Sequence, residues 1–229
     1  MSERPAARHL GLIGGLGPDA TVHYYRELLA RHEKAGRLPR LTIAHADVET
    51  ARQRAAANDR EGLARYLNGF VEEVARSGAE LTAIVAVTPH LCAPQLTRIA
   101  PLPLIDMVSE VAKALRQRGL RRVALLGTRF TIETRLFGGL AGVDVVMPTA
   151  ERIARIDTLY YDFVGGRGSD AKFFELQDIA AGYVRDDHAE AVLVAGTDLS
   201  PHLARFDSSL PLIDCAQLHL DAIAARLFE

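Results

Sequence analysis

The 229-residue chain has no tryptophan, two cysteines, and an aromatic content of 6%. Cys92 and Cys215 stand far apart, and make neither a disulfide framework nor the paired spacing of a metal-binding cluster. No stretch approaches the roughly 18 uninterrupted apolar residues of a membrane span. The opening segment MSERPAARHL lacks the apolar core of a secretory leader, so a cytoplasmic location is expected. No charge of one sign dominates either: 27 Lys and Arg face 29 Asp and Glu, a net of −2, which argues against nucleic acid as a partner. What is present, 48% hydrophobic and 24% charged residues, is ordinary for a globular protein. The length suits two α/β lobes of about 110 residues each, or one larger sheet.

The most informative stretch is Leu81 to Cys92, LTAIVAVTPHLC. Leu81 to Val87 is apolar except for Thr82, as expected of a strand buried on both faces, and it breaks at Thr88-Pro89-His90. Such a strand delivers a hydroxyl and an imidazole at its carboxyl end, where open parallel sheets bind ligands. An ordinary strand-to-helix turn, with His90 in the first helical turn, fits the spacing as well.

The chain contains this element twice and so reads as two related halves. AVLVAGTDLSPHL, Ala191 to Leu203, is again an apolar strand with Thr197 at its tip, and Ser200-Pro201-His202-Leu203 echoes Thr88-Pro89-His90-Leu91. Leu102-Pro103-Leu104-Ile105-Asp106 recurs as Leu210-Pro211-Leu212-Ile213-Asp214, 108 positions on. A five-residue identity in so short a chain points to a duplication.

Taken in order, His9 to Gly15 reads as a first strand, followed by a glycine loop and a helix through about Lys34. Pro18 suits a first helical position with Gly17 as cap, leaving a helix amino end for a carboxylate or phosphate. Gly15-x-Gly17-x-x-Ala20 matches a dinucleotide fingerprint only weakly, because the acidic residue that ends the second strand, Asp47, lies about 30 positions on instead of about 20. Leu41 to Ala46 is a strand ending at Asp47, and the polar segment through Arg54 reads as a solvated loop. Helices are expected at 59–77, 108–118, 153–163, 173–183 and 215–227, and strands at 122–127, 143–147 and 191–195. Alternating strands and helices imply parallel sheets.

GGLGPDAT near the start, Thr88-x-His90 at a strand tip, LLGTRFTIET at 125–134, the Tyr160 helix and the paired LPLID segments together make the chain resemble the aspartate/glutamate racemase family. The resemblance implies an α/β fold of two pseudo-symmetric lobes with parallel sheets flanked by helices and an active-site cleft between them. The lobes would be 1–107 plus 215–229, and 108–214. It also implies no cofactor, no metal, and a homodimer. Enzymes of this family invert an α-carbon with two cysteines, one per lobe. At the matching positions this chain has Ala86, within Ala86-Val87-Thr88-Pro89-His90, and Gly196, within Ala195-Gly196-Thr197-Asp198.

Without those thiols, three readings compete. In the first, a small carboxylate, an amino acid or cyclic amino-acid derivative, is cradled at Gly15, Thr21, Thr88, Thr128 and Thr197. Asp47, His90, Asp198 or Tyr160 then supplies hydrolase or lyase chemistry. In the second, the chain racemises an amino acid with bases other than cysteine. In the third, it keeps the ligand and has lost catalysis. Each site residue also has a structural role open to it: His90 as a helix brace, Asp198 and Thr128 as caps, and Tyr160 as packing.

Overall fold

The computed structural model describes residues 5–134, 136–137, 142–205 and 209–229. Strands and helices alternate through two compact units, Met1–Met107 with Gln217–Glu229, and Val108–Ala216.

The first unit contains β1 (Leu10–Gly14), α1 (Pro18–Ala35), β2 (Leu41–His45), α2 (Val48–Ala56), α3 (Arg60–Arg76), β3 (Leu81–Ile84), a 3-10 helix (Thr88–Cys92), α4 (Ala93–Ile99) and β4 (Leu104–Ile105). Its sheet is parallel, in the order β2-β1-β3-β4. The central strands β1 and β3 are buried throughout, which is why they read as apolar runs. Thr82, the polar exception, is buried too, and its hydroxyl donates to the Gly11 carbonyl at 3.0 Å.

The second unit contains most of α5 (Met107–Gln117), then β5 (Arg122–Leu126), α6 (Arg129–Glu133), β6 (Asp144–Val145), α7 (Ala150–Val164), α8 (Asp170–Arg185), β7 (Ala191–Val194), a 3-10 helix (Ser200–Arg205) and β8 (Leu212–Asp214). Its sheet is also parallel, in the matching order β6-β5-β7-β8. The closing helix α9 (Cys215–Leu227) belongs mostly to the first unit. No helix among the described residues is long and apolar enough to cross a membrane.

Three sequence expectations change. The segment after Asp47 is helix α2, not a loop: Asp47 caps it by accepting from the Thr50 N–H at 2.7 Å, and Ala51 and Ala55 turn a small buried face inward. The strand expected over Leu81 to Val87 ends at Ile84. Val85 N–H still donates to Ile13 O, but β1 then turns away at Gly15, so no neighbouring strand is left to pair with.

The third change is in the internal repeat. Val85 N–H donates to Ile13 O and Ala195 N–H to Leu126 O; Thr82 N–H donates to Pro103 O and Val192 N–H to Pro211 O. Position 85 therefore corresponds to 195, a shift of 110, whereas aligning Thr88-Pro89-His90 with Ser200-Pro201-His202 needs 112. The proline echo is out of step by two residues. By the hydrogen-bond ladder the counterpart of Ala86 is Gly196, that of Thr88 is Asp198, and that of His90 is Ser200.

Candidate functional site

In each sheet the chain runs from the first strand to one neighbour and then crosses to the other side, so the strand order reverses between β1 and β3 and again between β5 and β7. The carboxyl ends of such strand pairs open a crevice into which loops deliver ligand-binding groups. This places the candidate residues at Gly15 and 86–90 in one unit, and at Thr128 and 196–198 in the other.

After β1 the backbone turns at Gly15 with φ of 80°. A Cβ there would lie 2.5 Å from the Ala46 carbonyl oxygen and 2.8 Å from the His45 ring, so both conformation and space demand glycine. Gly15 N–H donates to Thr21 Oγ1 at 3.1 Å, and that hydroxyl donates to Gly17 O at 2.9 Å. Thr21 thus staples the loop. Gly17 caps α1 without a side chain, with Pro18 in the first turn as the sequence suggested. Asp47 is exposed; besides Thr50 N–H, its carboxylate accepts from the Thr50 hydroxyl at 2.7 Å, and these bonds hold it below the usual carboxylate range.

At the tip of β3, Ala86 and Val87 are buried and Thr88 is half-buried, its hydroxyl making no hydrogen bond among the described residues. His90 has a buried ring with both nitrogens engaged: Nδ1 lies 2.8 Å from Asp106 Oδ1 and Nε2 3.3 Å from Ile84 O. Its edge meets His219, whose Nε2 donates to Ile105 O at 2.8 Å and whose Nδ1 lies 3.1 Å from the Tyr24 hydroxyl. Burial pushes His219 down from 6.5 to about 3, so it is the neutral tautomer accepting from Tyr24. Cys92 is fully buried; its thiol donates to Pro89 O at 3.2 Å and is pushed up to about 12 by burial.

In the second unit Thr128 caps the short helix α6, accepting from Thr131 N–H at 3.2 Å, with the two hydroxyls 3.0 Å apart. At the tip of β7, Gly196 and Thr197 are buried and Asp198 is half-buried. Tyr160, buried on α7, lays its ring over Gly196 and donates its hydroxyl to Asp198 Oδ2 at 2.9 Å. Burial first, and the Asp198 charge second, hold the phenol far above its ordinary range, so it stays a neutral donor and not a base. Ser200 Oγ donates to Asp214 Oδ1 at 2.8 Å, and that oxygen also accepts from Ala216 N–H at 2.8 Å. Cys215 is fully buried, its thiol pushed well up by burial and then by Asp214.

The structure therefore groups Gly15 with Thr21, His90 with Asp106, and Tyr160 with Gly196 and Asp198. Asp106, Asp214, Ser200, His219 and Tyr24 were missed as site residues; the repeated LPLID pointed to both aspartates, but a repeat signals duplication before it signals a role. Among the described residues no His, Cys, Asp and Glu side chains converge in a group able to hold a metal.

The model of the Asp/Glu/hydantoin racemase family matches residues 13–223. The chain belongs to this family. Its fold is similar to that of a candidate Asp/Glu racemase from Yersinia pestis, with a TM-score of 0.84 at 21% identity, covering 97% of this chain and 100% of that one. An aspartate racemase homologue from Pyrococcus horikoshii gives a TM-score of 0.78 at 24% identity, over 95% and 99% of the two chains. A maleate isomerase from Pseudomonas putida gives 0.56 at 16% identity, over 96% and 92%. At these identities the likeness is one of fold, and a fold hosts more than one chemistry.

Proposed function

We propose that this racemase-family chain binds a small carboxylate, an amino acid or cyclic amino-acid derivative, at its strand tips and acts on it by one-base chemistry, hydrolysis or elimination, in place of racemisation. One observation carries the reading: at the β7 tip the half-buried Asp198 carboxylate stands beside a neutral donor, the Tyr160 hydroxyl 2.9 Å away. Inverting a carbon centre needs groups on both faces, because one removes the proton and another returns it. Ala86 offers a methyl group, His90 is engaged at both nitrogens, and both thiols are buried with their proton affinity raised.

A one-base reaction fits these groups. In hydrolysis the Asp198 carboxylate takes a proton from water as the water oxygen bonds to the substrate carbonyl carbon. It gives that proton to the leaving nitrogen or oxygen when the carbon bond to it breaks. Thr88, with an uncommitted hydroxyl, is the candidate carboxylate donor at the tip of β3. Calorimetry with amino acids and cyclic carboxylates, followed by turnover assays on each ligand found, tests this: Thr88→Val should weaken binding, and Asp198→Asn should abolish turnover while leaving binding within a few-fold.

A second reading, a ligand-binding protein without catalysis, is favoured by Asp47 and His90, whose polar atoms serve a cap and a clasp. Tight binding without turnover across the panel would select it.

A further inference from the structure

The Gly196 backbone does not explain why a glycine stands there. Six glycines among the described residues have positive φ, and Gly196 is not one of them. Its conformation is open to any residue. What excludes a side chain is Tyr160: a Cβ at 196 would lie 2.6 Å from the Tyr160 hydroxyl oxygen and 2.8 Å from Cζ, with another ring carbon nearer still. Real Cβ atoms do not come so close. The ring cannot easily withdraw, because α7 buries it beside Ile156, Leu159 and Phe163 on its inward face.

We infer that Tyr160 and Gly196 are a matched pair in which the tyrosine occupies the side-chain space of the β7 tip and, through its hydroxyl, positions the Asp198 carboxylate. Tyr160 is thus a positioning residue, and Asp198 is the group it presents. The inference rests on the proposed function only for the claim that Asp198 works on a ligand; the pairing stands on geometry. The same packing makes the tip specific for its occupant: a cysteine at 196 would meet the ring as an alanine would, so a thiol there is not accommodated by one substitution. The titratable groups around the pair are Asp198, Cys215, the Tyr161 ring packed edge-on against Tyr160 and, beyond Cys215, Asp214.

The test uses the full chain, with Asp198 observed through its side-chain carboxyl carbon by NMR. Tyr160→Phe keeps the ring over Gly196 and removes only the donor. The Asp198 titration midpoint should rise, since a hydrogen bond to the charged form favours that form. An unchanged midpoint would overturn the positioning role. Gly196→Ala tests the packing half: it should lower the melting temperature, and adding Tyr160→Ala should make the alanine tolerated, so that the two changes are strongly non-additive. Additive losses would overturn the pairing. If the midpoint moves and the cycle is non-additive but Asp198→Asn leaves turnover intact, the pair stands and the one-base function falls.

Discussion

His90 and Asp106 form a clasp that Ser200 and Asp214 repeat. In the first unit imidazole Nδ1 meets the aspartate 2.8 Å away, and in the second a serine hydroxyl does so at 2.8 Å. In both, the aspartate ends the LPLID strand and its partner sits on the 3-10 turn after the central strand, so the clasp fixes the turn that carries the strand tip.

This relationship makes His90 structural, and its loss should be felt as stability. His90→Ala leaves the Asp106 carboxylate without its imidazole and opens a void, so urea unfolding should show a loss on the order of 2–3 kcal/mol. Ser200→Ala removes a smaller neutral donor and should cost about 1 kcal/mol. His90→Ala combined with Asp106→Ala should lose less than the sum of the single changes. If the losses simply add, the 2.8 Å contact is not an energetic couple.

The fold was legible where burial writes an unambiguous pattern. β1, β3, β5 and β7 are buried on both faces and showed as apolar runs, and α3 showed through its spacing and the glycine that stops it. The two-residue strand β4 was not legible, because only its pairing with β3 makes it a strand. Helix α2 was obscured by its surface: most of its residues face water, so polarity masked a helix that its alanines and the Asp47 cap form. The site was half legible. Tyr160 and Asp198 were both named from the sequence, but their hydrogen bond spans 38 residues and no local pattern announces it. His90 was named as a base, and only the structure places Asp106 and Ile84 O at its two nitrogens.

His219 should give the protein an acid-sensitive stability. Its folded pKa, about 3, lies below the ordinary 6.5, so between those values the unfolded chain binds a proton that the folded chain refuses. The stabilising contribution is full above pH 6.5 and is lost as pH falls toward 3. It totals on the order of 4 kcal/mol, with about 1.4 kcal/mol lost for each pH unit. Lowered carboxylates such as Asp59 and Glu80 lose theirs only as pH drops below their ordinary values of 3.8 and 4.5. The window from about pH 6.5 to 5 therefore separates His219 from these carboxylates. Urea midpoints across it should fall in the native protein and stay flatter in His219→Gln; parallel curves would assign the sensitivity elsewhere.

Gly15→Ala should be among the costly single-methyl additions. The left-handed backbone alone costs an alanine roughly 1–2 kcal/mol, and the new Cβ would sit 2.5 Å from the Ala46 carbonyl oxygen, which is backbone and cannot rotate aside. Removing the staple instead, with Thr21→Val, should cost about 1 kcal/mol, because the Gly17 carbonyl keeps the Thr21 N–H at 2.9 Å and only the Gly15 N–H loses its partner. Thermal unfolding of both variants should therefore show the larger loss for Gly15→Ala.

The remaining prediction concerns protons on carbon. A thiol pushed up to about 12, as at Cys92, is thiolate in only about one molecule in 10⁵ at pH 7, and full burial beside Asp214 pushes Cys215 well up too. Neither sulfur can serve as a ready base, and neither Ala86 nor Gly196 carries one. Aspartate and glutamate incubated with the protein in deuterated water should therefore keep their α-protons over hours, as followed by proton NMR. Exchange that is rapid and vanishes in Cys92→Ser or Cys215→Ser would show that a buried thiol is exposed and ionised when substrate binds, and would return the chain to two-sided chemistry. Exchange that is rapid, survives both serine changes and disappears in Asp198→Asn would instead keep the carboxylate as base but extend its reach to carbon. Silence with aspartate and glutamate, together with turnover of another carboxylate that depends on Asp198, is the pattern expected from a strand tip whose base works on water, because neither buried thiol is ready to take a proton from carbon.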